Sequence, residues 1–385
     1  MNFRTNTIFG IMLAIIGIAV MPDIARGDIL LLKRDNNLPM INGLELQFGG
    51  ILRPQYRNKM GPSDNHTFMQ RGYDSGSYIH TSVDYYLNDD VHLLGYYEVG
   101  FDMFNELGSG SHYDHQKDTT FKRKLYAGVA SNTYGTLTYG QQNSVYYSVI
   151  GAKTDIWDND MHGQGSNNGI NGNYDGSYRG KNLLKYTGDI GPVTLNLSWS
   201  APVDDFYIKS DNVRYQRKSG GAIGADYHVA GDLTLSAAYS YTRANIVSRK
   251  RDRAANDSAG YSQQMTGIAA QWKPDNWVLA ASGGLFKDFI PRHGQRVPDN
   301  YFEGTAPGWE YLAGYTFQLK NAVFKSFKPY VAGDGMRWDN YQTNHTYLGL
   351  ATVLPFGFQI DLERTFSNTS DHQPDENWVR LWYKF

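Results

Sequence analysis

The sequence has no cysteine and no excess of charge of either sign. The absence of cysteine excludes a disulfide-linked scaffold, a thiol nucleophile and a cysteine-ligated zinc site. With 36 Lys+Arg against 38 Asp+Glu, the formal net charge of -2 excludes the strongly basic surface of a nucleic-acid-binding protein, so no nucleic-acid partner is expected. The mean hydropathy of -0.51 argues against a bundle of membrane-spanning helices, which needs several long apolar runs.

Aromatic residues and glycine are abundant instead, with 29 Tyr, 18 Phe, 8 Trp and 41 Gly among 385 residues. A chain that is polar on average, free of cysteine and rich in these residues is typical of a membrane β-barrel. In such a barrel one face of each strand contacts lipid and the other is wet.

The amino terminus has the three parts of a secretory signal peptide. Residues 8–21 form the only long apolar run, which is too short to cross a bilayer about 30 Å thick as a helix. Arg4 precedes the run, and the small residues Ala25 and Gly27 follow it. We therefore expect residues 1–27 to be a signal peptide cleaved after Gly27, and residues 28–385 to form the mature domain.

The rest of the chain alternates between apolar and polar residues with period two. Val193, Leu195 and Leu197, for example, alternate with Thr194 and Asn196. We count about sixteen such strands, joined alternately by short turns and by long polar segments, as in bacterial outer-membrane barrels. Because lipid cannot satisfy an open sheet edge, the pattern predicts an all-β fold: a closed, transmembrane, antiparallel β-barrel with an aqueous channel.

The last residues carry the most specific pattern. Leu381, Tyr383 and Phe385 share one face of a strand that ends the chain on an aromatic residue. Together with residues 139–147 and the later Asp155, this strand resembles the Gram-negative general diffusion porins over essentially the whole mature chain. The resemblance implies a homotrimer in the outer membrane, in contact with membrane lipid and lipopolysaccharide. It also implies that the last strand closes the barrel and is recognised by the outer-membrane assembly machinery.

The resemblance also predicts a site. The long irregular segment 143–176 corresponds to the third loop of the family, which folds into the barrel and constricts the pore. Asp155 matches a family acid of the constriction, Asp158 and Asp160 lie beside the position of a second, and Glu98 matches a lumen acid. On the facing wall, Arg179 matches one of three family arginines, and the other two positions hold His80 and Gln141. The remaining expected wall cations are Lys181, Lys185, Arg53 and Arg123.

These expectations describe a water-filled channel for passive diffusion of small hydrophilic solutes and ions, without a cofactor or a metal. Because the acids are retained while two arginine positions have lost their permanent charge, the channel is expected to prefer cations weakly. The alternatives are a substrate-specific outer-membrane channel and an outer-membrane β-barrel enzyme. His112, Asp114 and His115 lie together in a long loop, but they match no catalytic motif, so no enzymatic activity is expected.

Overall fold

A computed structural model describes most of the chain after residue 27. The described residues are 28–36, 38, 41–60, 72–106, 120–156, 162–248, 258–293, 296–319, 321 and 323–385. The predicted signal peptide and the predicted site residues Asp158 and Asp160 lie outside them.

Antiparallel strands make up nearly all of the regular structure. In chain order they are β1 (Ile29–Leu32), β2 (Leu44–Leu52), β3 (Pro54–Lys59), β4 (Gly72–Asp74), β5 (Ser77–Tyr86), β6 (Val91–Phe101), β7 (Thr120–Ser131), β8 (Gly135–Asn143), β9 (Arg179–Ile190), β10 (Val193–Ser200), β11 (Phe206–Ile208), β12 (Val213–Ala230), β13 (Leu233–Ser248), β14 (Ser258–Trp272), β15 (Trp277–Lys287), β16 (Thr305–Tyr315), β17 (Phe317–Gln318), β18 (Ser326–Arg337), β19 (Gln342–Val353), β20 (Phe358–Thr369) and β21 (Glu376–Lys384). Short helices occupy Met103–Glu106, Val145–Val149 and Gly165–Asn168, and 3-10 turns occupy Gly151–Lys153 and Pro298–Asn300.

These segments form a closed barrel of 16 strands, which confirms the predicted fold class and strand number. β2 with β3, and β4 with β5, are each one barrel strand interrupted by a short irregularity. The short strands β11 and β17 continue β10 and β16. β11 pairs with β12, as β10 does, and β17 pairs with β18, as β16 does. β21 closes the barrel by pairing with both β3 and β2, and β1 pairs with β2 beyond the end of β21.

The two faces of the strands differ as the sequence pattern predicts. On β13, the exposed fractions of Leu235 and Tyr239 are 44% and 39%, whereas those of Ser236 and Ser240 are only 6% and 9%. Successive side chains of a strand point to opposite faces, so the apolar set lies outside the closed barrel and the polar set inside. An exposed apolar band on the outside is what a lipid environment requires.

The lengths of two strands were not expected. β12 spans 18 residues and begins at Val213, within one of the long polar segments that the sequence predicts to join strands (201–216), and β13 spans 16 residues. The first part of β12 pairs with the last part of β13 and carries Tyr215, which packs with Ile246, Tyr301 and the other residues of a small apolar cluster. Packing against this cluster explains why the strands continue past the length needed to cross the membrane.

Candidate functional site

The segment between β8 and β9 leaves the wall and packs inside the barrel. It begins with Ser144, whose hydroxyl oxygen accepts a hydrogen bond from the Tyr147 backbone N–H at 3.1 Å and so caps the helix Val145–Val149. We call its described parts, residues 144–156 and 162–178, the inner segment. It corresponds to the predicted constriction loop, residues 143–176.

An apolar cluster holds the first half of the inner segment against the wall. Tyr146, Val149 and Ile150 are fully buried and pack with Met265 and Phe286, which project inward from β14 and β15. The rings of Tyr146 and Phe286 lie edge to face with centroids 6.1 Å apart. Apolar side chains on the inner face of a water-filled barrel are otherwise unexpected, and the inner segment is what covers them.

Polar contacts continue this attachment along the wall. Lys153 forms an ion pair with Asp226 of β12 at 2.8 Å. The amide of Gln164 donates to the Ser282 hydroxyl of β15 at 2.6 Å, and the Thr154 hydroxyl donates to a carboxylate oxygen of Glu310 on β16. The inner segment therefore follows the wall from β12 to β16, and it also reaches His345 of β19 through His162 and Trp378 of β21 through Ile156. The inner faces of β2 to β9 lie across from it.

On that facing wall, Glu98 holds two cations. Its carboxylate accepts from Arg123 Nε at 2.6 Å and from Lys124 Nζ at 3.1 Å. Arg123 and Lys124 are consecutive, and both reach the same inward side because Arg123 is the extra residue of a β-bulge between β6 and β7. Glu98 and Arg123 are thus brought together in one buried ion-pair cluster, in which neither carries an isolated charge.

Arg53 extends this cluster to the point where the barrel closes, since Arg123 also donates to the Gly76 carbonyl oxygen, at 3.1 Å. The Arg53 guanidinium donates to the Gly76 carbonyl oxygen at 2.8 Å and lies 5.2 Å from the Trp382 ring. Arg380 of β21 lies 5.1 Å from the same ring and donates from Nε to the amide oxygen of Gln55 at 3.0 Å. The sequence could have indicated Arg380, because it lies two residues before Trp382 and therefore shares the inward face of the last strand.

His80 and Gln141, the two wall residues that stand where the resemblance predicts arginine, make different contacts. His80 of β5 lies with Nε2 3.0 Å from the Asp28 carboxylate and stacks on Tyr96. The side chain of Gln141 is buried and donates to the Arg123 carbonyl oxygen at 3.0 Å, so it ties β8 to the backbone of β7.

The remaining predicted wall cations lie beside the ends of the inner segment. Arg179 donates to the Tyr178 hydroxyl at 2.9 Å, and Lys181 lies 3.7 Å from the centre of the Tyr174 ring. Lys185 donates to the Ser148 hydroxyl at 3.0 Å, so it supports the base of the inner segment.

Asp155 lies at the end of the described first half of the inner segment. It accepts a hydrogen bond from the Tyr147 hydroxyl at 2.5 Å. Burial raises the pKa of Tyr147, and the neighbouring Tyr178 and Asp155 raise it further. The phenol is therefore a stable donor to Asp155, whose own side chain is exposed.

Two of the predicted closure residues, Tyr383 and Phe385, pack in one aromatic cluster on the outside of the barrel. Phe385 is 1% exposed, and its ring centre lies 6.1 Å from that of Phe48 and 5.6 Å from that of Tyr383. Its backbone exchanges two hydrogen bonds with Gly50. Leu381 of the same face remains exposed to the surroundings of the barrel.

Two groups of buried charged residues were not found from the sequence. Glu310 and Asp334 lie on the inner wall beside the inner segment, and Asp334 accepts from the Tyr347 hydroxyl and contacts His345 at 2.7 Å. Alternation along the strand could have indicated Glu310. It follows Trp309, whose side chain is exposed on the outside of β16, so Glu310 points inward. The second group contains Asp175, whose pKa is raised by burial.

No helix in the described ranges is long and apolar enough to cross a membrane. Among the same residues, no three histidine, aspartate or glutamate side chains are grouped closely enough to hold a metal ion.

Comparison with known proteins identifies the family. A model of the Gram-negative porins matches residues 42–347. The chain belongs to the Gram-negative porin family. It is therefore an outer-membrane porin channel, and its location is the bacterial outer membrane. No curated protein matches the sequence significantly.

Solved structures of this porin's fold include OmpF of Salmonella typhi in complex with daunomycin. It has a TM-score of 0.65 at 15% identity, over 93% of this chain and 100% of that chain. The outer membrane channel DcaP of Acinetobacter baumannii has a TM-score of 0.60 at 13% identity, over 89% and 98%. OmpT of Vibrio cholerae in its trimer form has a TM-score of 0.56 at 11% identity, over 89% and 100%. At these identities the likeness concerns the fold alone.

Proposed function

We propose that this porin passes small hydrophilic solutes and ions by passive diffusion through water, and that the inner segment narrows the path. The observation that carries this proposal is the attachment of the inner segment to β12–β16 by a buried apolar cluster and by polar contacts. A segment fixed in this way takes up part of the lumen and leaves the remaining passage against the wall of β2 to β9. The proposal gives the chain no catalytic role.

Charges on the two sides of this passage support a weak preference for cations. Asp155 places an exposed carboxylate on the inner segment, and Asp158 and Asp160, which lie outside the described residues, follow it in the sequence. Across from Asp155, Glu98 offsets the charge of Arg123 and Lys124 at 2.6 and 3.1 Å. Asp28 lies beside His80 in the same way. Carboxylates that face partly neutralised cations raise the local concentration of cations in a narrow, poorly screened passage.

The assembled state that we propose is a homotrimer. The trimer form of Vibrio cholerae OmpT has the same fold, which supports this assignment. We also propose that the apolar outer face contacts membrane lipid and lipopolysaccharide. The terminal strand, with Phe385 covered by Phe48, is the proposed signal for the assembly machinery.

Swelling of liposomes that contain the purified protein tests the proposal. Uptake should fall steadily with the size of uncharged sugars, because passage through water is limited by the width of the path. Uptake of one sugar far above others of equal size would instead identify a substrate-specific channel. Protein-free liposomes, and liposomes containing heat-denatured protein, are the controls.

A further inference from the structure

A cavity lies on the other side of the inner segment, toward the short turns of the barrel. Its volume is about 400 Å³, and it lies between residues 152–156 and the ends of β14, β15, β16 and β18. The turn between β14 and β15 forms its floor. The contacts that attach the inner segment to the wall therefore also roof this cavity.

Three lysines line the cavity, and two of them, Lys273 and Lys328, have no ion-pair partner among the described residues. Lys328 is half-buried on the inner face of β18, and Lys273 lies in the exposed turn directly after β14. Within the described ranges, no carboxylate oxygen lies within 4.0 Å of either ammonium nitrogen. Asp361, the acid that acts most on Lys328, accepts hydrogen bonds from Gln359 and Trp382.

Of the other charged groups of the lining, two are engaged and the third lies in an exposed turn. Lys153 is paired with Asp226 at 2.8 Å, and Asp155 accepts from Tyr147. Asp275 lies in the exposed turn with a left-handed backbone (φ 48°). Thr316 and Gln318 add a hydroxyl and an amide donor to the same wall.

We propose that this cavity is a binding subsite for small organic anions, in which a carboxylate lies between Lys273 and Lys328. An anion there accepts hydrogen bonds from the two ammonium groups, while the surrounding protein excludes part of the screening water. The subsite lies beside the diffusion path and rests on the proposed channel function. It holds carboxylate solutes briefly as they leave the passage.

The probe is malonate, and its uncharged counterpart malonamide is the matched ligand control. In bilayer recordings of the full-length protein, malonate should interrupt the ionic current in a concentration-dependent way and malonamide should not. Lys328→Gln and Lys273→Gln should each weaken the apparent affinity for malonate by about tenfold, the effect of losing one charge-assisted contact. Lys325→Gln, which removes a lysine near the same turns but outside the cavity, should leave the affinity unchanged.

Equal affinity of the wild type and the Lys328→Gln variant would overturn the subsite, as would interruption by malonamide or an equal loss in Lys325→Gln. Calorimetric titration of malonate into the detergent-solubilised protein measures the same affinities and does not depend on ionic current through the channel. A protein that binds malonate in this way but gives no current would refute the channel and keep the subsite. A conducting protein that does not bind malonate would refute the subsite alone.

Discussion

Removing the ring of Tyr146 should release the inner segment from the wall without unfolding the barrel. Tyr146 is fully buried between the inner segment and Phe286, and its hydroxyl donates to Gln164 at 3.1 Å. Tyr146→Ala therefore removes the centre of the apolar cluster together with one polar contact. The barrel strands keep their own ladders of backbone hydrogen bonds, so their pairing does not depend on this ring.

The size of the effect follows from the buried area. A buried aromatic side chain covers about 150–250 Å², which at about 25 cal/mol per Å² is worth about 4–6 kcal/mol. Measured large-to-small substitutions of this kind cost about 3–5 kcal/mol. A loss of about 4 kcal/mol shifts the equilibrium between attached and released segment nearly a thousandfold. Tyr146→Phe keeps the ring and loses only the hydrogen bond, worth about 1 kcal/mol.

Liposome swelling with a small and a large sugar measures the width of the path. In Tyr146→Ala, uptake of the large sugar should rise relative to the small one, and open-channel current noise should increase. Tyr146→Phe should resemble the wild type, and both variants should give wild-type amounts of folded barrel. An unchanged uptake ratio together with unchanged noise in Tyr146→Ala would refute the reasoning, because a freed segment cannot narrow the path as before.

Three further predictions concern the ends of the chain and the charges of the lumen. Phe385→Ala should reduce the amount of folded protein in membranes and leave the conductance of each inserted channel unchanged; a normal amount with altered conductance would contradict the closure role. Asp155→Asn should lower the cation preference measured by reversal potentials, whereas His80→Arg should change it less because Asp28 is within 3.0 Å; a larger effect of His80→Arg would reverse the assignment. Mass spectrometry of the protein purified from membranes should find a chain that begins at Asp28, and a mass that includes residues 1–27 would contradict the predicted cleavage.

The strands were predictable because their alternation is a local property of the sequence. Leu235 and Ser236 point to opposite faces of β13 and differ in polarity accordingly, and the same alternation recurs along other barrel strands. Turn chemistry then separates one strand from the next. Period two fails at bulges and where the inner segment covers apolar side chains such as Met265 and Phe286. The extra residue at Arg123 turns two consecutive cations inward, which a strict alternation cannot show.

The site was less predictable because its contacts join distant parts of the chain. Tyr146 meets Phe286, and Thr154 meets Glu310, across more than a hundred residues of sequence. Nothing near Thr154 in the sequence specifies that partner. The family resemblance predicted a role for residues 143–176 and Arg179, but the pairing of Glu98 with Arg123 needed the register of β6 and β7.

Planar-bilayer recording of the purified full-length protein over a range of KCl concentrations tests the central claim most directly. A water-filled channel should give discrete conductance steps that rise in proportion to the conductivity of the bulk solution, because the ions cross without binding strongly to the protein. Absence of steps, or a conductance that saturates at low salt, would contradict the proposal of passive diffusion past the inner segment.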